Sequence, residues 1–482
     1  MRRTALFIMI FLFSGHLFAG EKEAFASVLK VAQELKSSSA QYLAAHMYEN
    51  GQGVARNPRS AVDWYKKAAQ QGHAKAQFRL GQAFERGELG FSPDMKSSAK
   101  WYLRASEQGF AEAQFGLAEL IYRESGYSGS DYAEAMAWCT KAAKAGHVEA
   151  QAKLGELFVT RTPYRYKEGA HWLTEAATQG HVRAAYLLGS LYEAGNGVSV
   201  DVRSAVRWYE WSAKAGMLDA QKRLADMYLA GIGLPRNVVE AEKWLREVAQ
   251  KESVDAQYSL GLILLEGPGE ASKQEAWSWL EKAASRGKAD AQYRVAMHAL
   301  ESPSAGTSLG QTVLWLQEAA GQNHSLAALE LSHLYGEGNG VPKDASLSVK
   351  WARQAAQSGI AQAQFDLGFR YNKGLGLPKD AVAARSWYDL AAAQGHSGAL
   401  YQRGLLNLYG QGGERDVDKA YSDLKAAAAR GHTEAQYELG QLSADGIGTP
   451  VDFAQAQQWF EKAARGGHLN AQAKLGWSFS EN

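Results

Sequence analysis

Histidine is a common metal ligand, and the histidines of this sequence recur at regular positions. Seven of the twelve histidines directly follow a glycine or an asparagine at the same point of a repeated stretch. They are His73, His147, His181, His324, His396, His432 and His468. Ligands of one zinc ion must each lie about 2 Å from it, whereas equivalent positions of packed helices are about 10 Å apart. We therefore interpret these histidines as turn residues and predict no metal site.

Two kinds of serine motif could supply a nucleophile. Residues 306–310 read G-T-S-L-G and fit the nucleophile-elbow string, but that elbow requires a strand before it and a helix after it. Ser27 with Lys30, and Ser97 with Lys100, fit S-x-x-K, yet the chain contains neither K-T-G nor S-D-N. P-loop, H-E-x-x-H and calcium-loop strings do not occur either. The sequence predicts no catalytic residue and no cofactor.

The single cysteine and the charge balance narrow the function classes further. Cys139 alone cannot form an intrachain disulfide or a multi-cysteine metal site. It follows Trp138 at a point where other stretches have tyrosine or leucine, which predicts a buried and unreactive thiol. The chain has 52 Lys and Arg against 51 Asp and Glu, a net charge of +1. Because this balance shows no basic excess, we expect no nucleic-acid partner.

All these groups lie on a repeat that runs through almost the whole chain of 482 residues. A turn residue, usually glycine, recurs thirteen times at spacings of 34 to 37, and an alanine stands four residues after each one. With the turn residue as position zero, position nine is always small. A tryptophan stands eight residues before the next turn in eleven of twelve units, and Asp423 replaces it in the other. This regularity predicts a tandem array rather than several unrelated domains.

Each unit has the pattern of a first helix (A), a loop and a second helix (B). Leu80 and Phe84 fall on one side of a helix A, and paired glycines in the loops can end that helix in the left-handed conformation. Small residues at position nine predict a close helix contact, with the tryptophan filling the seam. Aromatic residues at position six could offer a stacking platform for sugars or bases, but their fixed helical phase favours core packing. Since one pair cannot bury both faces, we expect an elongated, all-α, right-handed α-solenoid of about twelve helix-loop-helix repeats of about 36 residues.

Residues 1–20 have the layout of a secretory signal peptide. Arg2 and Arg3 precede an apolar run over 5–13, and Ala19 and Gly20 mark the expected cut. The run is too short to span a bilayer, and no later stretch of about 18 apolar residues follows. We therefore expect a periplasmic or secreted protein of a bacterial envelope without a transmembrane span in the mature chain; an uncleaved anchor is the alternative. The expected domains are the signal peptide (1–20), a capping helix (21–36), the repeats (37–470) and a terminal helix with a tail (471–482).

The recurring unit A-Q-(Y/F)-x-L-G, then G-x-G-(V/L), then A-x-x-W-(Y/L)-x-x-A-A-x-x-G-H resembles the Sel-one-like repeat family of the tetratricopeptide superfamily. The resemblance covers about residues 27–480 and implies protein–protein scaffolding. Exported bacterial members include host-interaction factors and exopolysaccharide-secretion adaptors. A cysteine-rich branch is associated with penicillin binding or β-lactamase activity, but this chain has one cysteine. A non-enzymatic scaffold is the leading hypothesis, with an exopolysaccharide-assembly adaptor or, less favoured, a peptidoglycan- or β-lactam-processing enzyme as alternatives.

The first helices carry the candidate partner site, because in tetratricopeptide-like solenoids they usually line the concave face. Positions seven and ten lie three apart on one helical stripe. In the C-terminal half, position ten is mostly apolar and position seven acidic, which suits a protein partner such as an amphipathic basic segment. The alternative is that position ten packs against neighbouring repeats. The candidate partner-binding residues are Leu262, Met297, Glu330, His333, Asp366, Phe369 and Leu405.

Overall fold

A computed structural model describes residues 18–125, 129–161, 164–267, 269–302 and 308–476. Within these ranges the chain forms twenty-six α-helices and no strand. They are α1 (Phe18–Glu34), α2 (Ser38–Asn50), α3 (Pro58–Gln70), α4 (Ala74–Arg86), α5 (Met95–Glu107), α6 (Ala111–Ser125), α7 (Gly129–Lys144), α8 (Val148–Thr160), α9 (Tyr166–Thr178), α10 (Val182–Ala194), α11 (Val202–Lys214), α12 (Leu218–Ala230), α13 (Val238–Gln250), α14 (Val254–Glu266), α15 (Glu270–Ser285), α16 (Ala289–Glu301), α17 (Leu309–Gly321), α18 (Ser325–Glu337), α19 (Ala345–Gln357), α20 (Ala361–Lys373), α21 (Ala381–Ala393), α22 (Ser397–Tyr409), α23 (Val417–Ala429), α24 (Thr433–Asp445), α25 (Phe453–Arg465) and α26 (Leu469–Lys474).

The helices form the predicted A and B pairs, so the all-α solenoid is confirmed. Even-numbered helices from α2 are A helices and odd-numbered helices from α3 are B helices. Each A helix packs against the B helix that follows it and against the one before it. Helix α1 takes the place of a B helix, because a Cβ on Gly53 would collide with the Glu21 carbonyl, just as one on Gly197 would collide with Tyr166. The signal-peptide assignment stays a prediction, since residues 1–17 lie outside the described ranges.

The chain divides into two compact units inside α13, one ending at Trp244 and the other beginning at Leu245. Each unit contains a series of local cores between consecutive helices. In the first, Tyr65 and Leu80 belong to one such cluster. In the second, a larger cluster includes Leu316 and Leu331. Burial of these apolar side chains is the main stabilising contribution available to each repeat.

The repeated histidines begin the A helices, which confirms their interpretation as turn residues. In all seven, imidazole Nδ1 accepts a hydrogen bond from the backbone N–H of the alanine at position four, with N to N distances of 3.0–3.3 Å. Each therefore satisfies one of the free N–H groups of a helix start. Six of these rings, all but that of His181, contact the aromatic residue at position six of the preceding repeat, as in Tyr401 and His432, whose centroids are 4.6 Å apart. Position six thus serves repeat packing, as predicted.

Glycine at position nine permits the close contact that the sequence predicted. A Cβ on Gly81 would lie 2.5 Å from the Tyr102 ring, and one on Gly261 would lie 2.6 Å from Leu280 Cγ. Both partners stand one residue after the tryptophan position. The residue that meets position nine is the one after tryptophan: Tyr65 is fully buried, whereas its neighbour Trp64 is half-buried under Lys67 and packs at the edge of the same cluster. Burial of the tryptophan varies between repeats, and Trp244 and Trp351 are buried. One residue along a helix turns the side chain by about 100°, so only the residue after tryptophan points at position nine.

Candidate functional site

The seven candidate residues lie on the A helices α14, α16, α18, α20 and α22, all within the second unit. Every one of them is half-buried. Each of these side chains therefore exposes one side to solvent, while its other side contacts its own or a neighbouring helix. We call the line of positions seven and ten from α14 to α24 the A-helix stripe.

The side chain at position ten of one A helix lies beside position seven or position three of the next A helix. In the first unit Glu119 Oε1 lies 3.4 Å from Lys153 Nζ. In the second, His333 Nε2 lies 3.2 Å from Asp366 Oδ2. The register is the same although the charges are reversed. At these two places, position ten of one A helix thus lies beside position seven of the next.

His333 is the electrostatic centre of the A-helix stripe. Its Nδ1 lies 3.8 Å from Glu330 Oε2 on the same helix, while Nε2 faces Asp366 on the next. Hydrogen bonding to Asp366 and then to Glu330 raises the pKa of His333 to about 9. Gln362 Nε2 donates to the other Asp366 oxygen over 2.8 Å. At neutral pH this histidine is therefore a cation between two carboxylates.

The apolar members of the stripe differ in how much they contribute to the core. Leu262 packs against the buried cluster of Leu280 and Val295, so at this repeat the alternative of packing within the solenoid applies. Phe369 has its ring 6.3 Å from Phe365 and remains half-buried. It shares its helix face with Asp366, three residues earlier. An apolar surface beside carboxylates thus persists at α20.

The family comparison agrees with this repeat geometry. A family model described as the Sel1 repeat matches twelve consecutive stretches of the chain. The chain belongs to the Sel1 repeat family. The matched residues are 38–73, 74–110, 111–147, 148–181, 182–217, 218–252, 254–288, 289–324, 325–360, 361–396, 397–432 and 433–468. Sel1-repeat solenoids generally act as scaffolds for protein–protein interaction rather than as catalysts.

Two solved Sel1-repeat structures are similar over much of the chain. The crystal structure of c5321, a protective antigen present in uropathogenic Escherichia coli strains, has a TM-score of 0.75 and 28% identity, and the match covers 95% of this chain and 98% of that one. A Sel1 repeat protein from Oxalobacter formigenes has a TM-score of 0.50 and 31% identity, with 64% and 90% covered. No curated protein matches the chain by sequence. These similarities establish the architecture and leave the partner to be inferred.

In the first compact unit of the chain, charged residues on neighbouring A helices form ion pairs. The sequence analysis did not predict these pairs. Arg79 forms an ion pair with Glu49 of the preceding A helix, and Tyr65 Oη donates to the same carboxylate over 2.6 Å. Arg223 and Glu193 repeat the pair thirty residues apart, as Arg79 and Glu49 do. The signal was present in the sequence as an arginine at position seven after a glutamate at position thirteen. These charges are satisfied internally and offer less to a partner.

A ladder of glutamines joins consecutive Sel1 repeats, and sequence reasoning quoted the residue without assigning this role. Gln77 Nε2 donates to the carbonyl of Ala69 in the preceding repeat over 3.0 Å, while its Oε1 accepts from Gln108 at the end of its own repeat over 2.7 Å. Gln364 and Gln394 repeat the second contact at 2.8 Å. Gln77 and Gln364 are therefore buried links between three helices.

The serine and cysteine candidates have structural roles in their Sel1 repeats. Ser97 Oγ donates to Asp94 Oδ2 over 2.6 Å at the start of α5, where Asp94 is the helix cap. Ser308 Oγ caps α17 by accepting from the Gln311 N–H over 3.3 Å; residues 306 and 307 of the G-x-S-x-G string lie outside the described ranges. Cys139 is fully buried, as predicted, and burial raises the pKa of its thiol to about 12. A thiol with this pKa is not a nucleophile at neutral pH.

The described residues contain neither a cluster of metal ligands nor a helix able to span a membrane. Among them, no group of three or more histidine, cysteine, aspartate or glutamate side chains is arranged to hold a metal ion. Across the same ranges, every helix is too short or too polar to cross a bilayer.

Proposed function

We propose that this Sel1-repeat chain is an exported, non-enzymatic scaffold that binds a protein partner on the A-helix stripe of its second unit. The family supports the scaffold role. The signal-peptide layout of residues 1–20 supports export to the periplasm or beyond. The similar c5321 structure is that of a protective antigen, a description that fits a protein reaching the outside of a cell.

The contrast between the two units carries the assignment of the face. In the first unit, Glu119 and Lys153 occupy position ten and the following position seven as an ion pair. In the second unit, His333 still pairs with Asp366, but at the following two repeats position ten is Phe369 or Leu405, whose apolar side chains cannot pair with a charge on the next helix. An apolar line with carboxylates beside it is an incomplete surface, which a partner can complete.

The chemistry of the stripe indicates what kind of partner it fits. Half-buried Met297, Phe369 and Leu405 offer an apolar strip, and Glu330 and Asp366 add negative charge at its edge. A helix with one apolar face and basic residues along its margin would match both features. We therefore propose an amphipathic basic segment of a protein as the bound element.

A partner-capture experiment tests the proposed face. We expect the mature chain to retain a protein from an envelope extract, and the double variant Phe369→Ser with Leu405→Ser to lose it. The matched control is Val382→Ser with Leu390→Ser, because both are exposed apolar residues of the B helix α21, with 63% and 49% of their surface accessible. If the control loses the partner and the stripe variant keeps it, the face is assigned wrongly. Circular dichroism of each variant shows that the helices are retained.

Export is tested separately by fractionation. The chain expressed in a bacterium should be recovered outside the cytoplasm with an N-terminus near Gly20 or Glu21. Full-length chain that carries Met1 and remains in the cytosol would contradict export, while leaving the scaffold role to the capture experiment.

A further inference from the structure

A groove lies between the A helices α22 and α24, at the end of the A-helix stripe. Its volume is about 340 Å³. The floor is apolar, with Leu408 and Leu442 almost fully buried. The remaining lining residues are Tyr409, Arg415, Glu438, Gln441, Asp445 and Ile447.

Glu438 in this groove differs from the other carboxylates at position seven. Glu330 and Asp366 both face His333. Glu438 is half-buried, and within the described residues no cation lies within 4 Å of its carboxylate. Burial raises its pKa, with no opposing charge to lower it. By the register in which His333 meets Asp366, Glu438 faces Leu405 of the stripe, a side chain that cannot neutralise it.

A second carboxylate and an aromatic ring complete the groove. Asp445 is exposed, and the described part of the chain places no cationic group within 4 Å of it either. Tyr409 has 63% of its surface accessible, which is high for an aromatic residue that ends a helix beside a groove. Near the groove, burial and then the Glu438 carboxylate raise the pKa of Tyr401 to about 12, with Glu434 and Tyr409 also contributing.

The groove also contains one cation, Arg415, at its wall. Its Nε donates to the carbonyl of Leu408 over 2.9 Å, and among the described residues it forms no ion pair with Glu438 or Asp445. Two carboxylates therefore lie in the groove with one arginine. The groove keeps a surplus of negative charge beside an exposed ring.

We propose that this groove receives a lysine or arginine side chain of the protein partner. Two carboxylates accept charge-assisted hydrogen bonds from its head group, the Tyr409 ring contacts the cation, and the apolar floor packs against its methylene stem. The inference rests on the proposed function, since the basic residue belongs to the segment bound along the A-helix stripe. The basic side chain held in this groove is the anchor of the segment, and it fixes where the segment ends on the stripe.

A peptide titration with the full mature chain tests the anchor. The probe is a fluorescent amphipathic helical peptide of about 20 residues with a leucine face and lysines along its edges, paired with a peptide in which glutamine replaces each lysine. The groove variant is Glu438→Gln with Asp445→Asn. The control is Glu266→Gln with Glu301→Gln, which removes the same charge from exposed ends of α14 and α16.

We expect the lysine peptide to bind the wild type and the control alike, and to bind the groove variant about tenfold more weakly. The glutamine peptide should show the same weak affinity for all three proteins. Equal affinity of the groove variant and the control for the lysine peptide overturns the anchor, and so does equal or undetectable binding of both peptides to the wild type. Loss of the proposed function has a different signature, because wild-type chain would then capture no partner from the envelope extract. A partner captured equally by wild type and groove variant leaves the scaffold intact and overturns the anchor alone.

Discussion

Arg403 and Asp423 form an ion pair in the interior of a repeat, at positions that hold an apolar residue and a tryptophan in the other repeats. Arg403 Nη2 lies 2.6 Å from Asp423 Oδ1, and its Nε lies 2.8 Å from Oδ2. Asn407 Nδ2 donates to the same carboxylate over 3.2 Å. The one unit that lacks its tryptophan is thus the unit that places an arginine at position eight, so the two departures compensate each other.

We predict that breaking this pair from one side is far more damaging than replacing both residues. Asp423→Trp or Arg403→Leu alone leaves a charge buried without its partner and should lower the free energy of unfolding by about 3 kcal/mol. The double variant Arg403→Leu with Asp423→Trp restores the pattern of the other repeats and should be close to neutral. Urea unfolding of the four proteins measures the coupling. Additive effects of the two single changes would contradict compensation.

Acid should destabilise the fold through the histidine caps. Burial lowers the pKa of five of them below the usual value; these are His73, His147, His324, His396 and His432. The unfolded chain then binds protons more tightly, so stability is complete above about pH 6.5 and falls as the pH drops below it. Protonated Nδ1 can no longer accept the hydrogen bond of the cap. His333, whose pKa is raised to about 9, acts in the opposite sense, and its contribution is lost as the pH rises toward 9.

Urea unfolding at pH 7.5 and pH 5 checks this dependence. His396→Asn keeps a cap acceptor that does not titrate, so it should reduce the loss of stability on acidification. His171→Asn, on the exposed side of α9, should leave that loss as in the wild type. Identical acid sensitivity in wild type and His396→Asn would show that the caps are not responsible.

The glycine contact between the two helices of a repeat predicts an unusual response to alanine. Alanine normally favours a helix over glycine by about 1 kcal/mol, and Gly310→Ala should show part of this gain because nothing lies within 4 Å of its added Cβ. At Gly261 the added Cβ would lie 2.6 Å from Leu280 Cγ, so Gly261→Ala should destabilise. Gly261→Leu should lower stability by about 1–3 kcal/mol or more. Equal melting temperatures for Gly261→Leu and the wild type would remove the packing role.

Replacing a glutamine of the ladder should lower the stability of the fold, although the glutamine side chain is uncharged and buries little apolar surface. Gln77→Leu removes the hydrogen bonds with the Ala69 carbonyl and the Gln108 amide, and at about 0.5–1.5 kcal/mol for each bond this should lower the free energy of unfolding by about 1–3 kcal/mol. Gln52→Leu, in an exposed loop, is the matched control and should change little. The ladder is unimportant if both variants unfold at the same urea concentration.

The sequence predicted the fold in detail because the repeat samples each position a dozen times. Gly81 and Gly261 indicated a tight contact, and His73 a turn, since one physical reason had to hold at every equivalent point. The size of the tryptophan suggested that it fills the seam, but which of two adjacent side chains meets position nine depends on the helix rotation, which only coordinates give. Trp64 and Tyr65 are adjacent in sequence and yet face different surroundings.

The candidate site was less predictable from the sequence. The stripe through His333 and Asp366 was predicted from the spacing of positions seven and ten and from the resemblance to tetratricopeptide-like solenoids, but the pairing of these two residues depends on the offset between neighbouring A helices. The groove at Glu438 was not predicted, because its exposed ring, Tyr409, belongs to another repeat and lies outside positions seven and ten. Only the structure shows which carboxylates already have a partner in the described chain and which do not.

Site-specific photocrosslinking in cells tests the central claim most directly. p-Benzoylphenylalanine would replace Phe369 on the A-helix stripe or, in a second strain, Val382 on the B helix α21. We predict that irradiation yields a covalent adduct with another envelope protein from position 369 and none from position 382. An adduct only from position 382, equal adducts from both, or no protein adduct from position 369 would contradict a scaffold that binds its partner on the A-helix face.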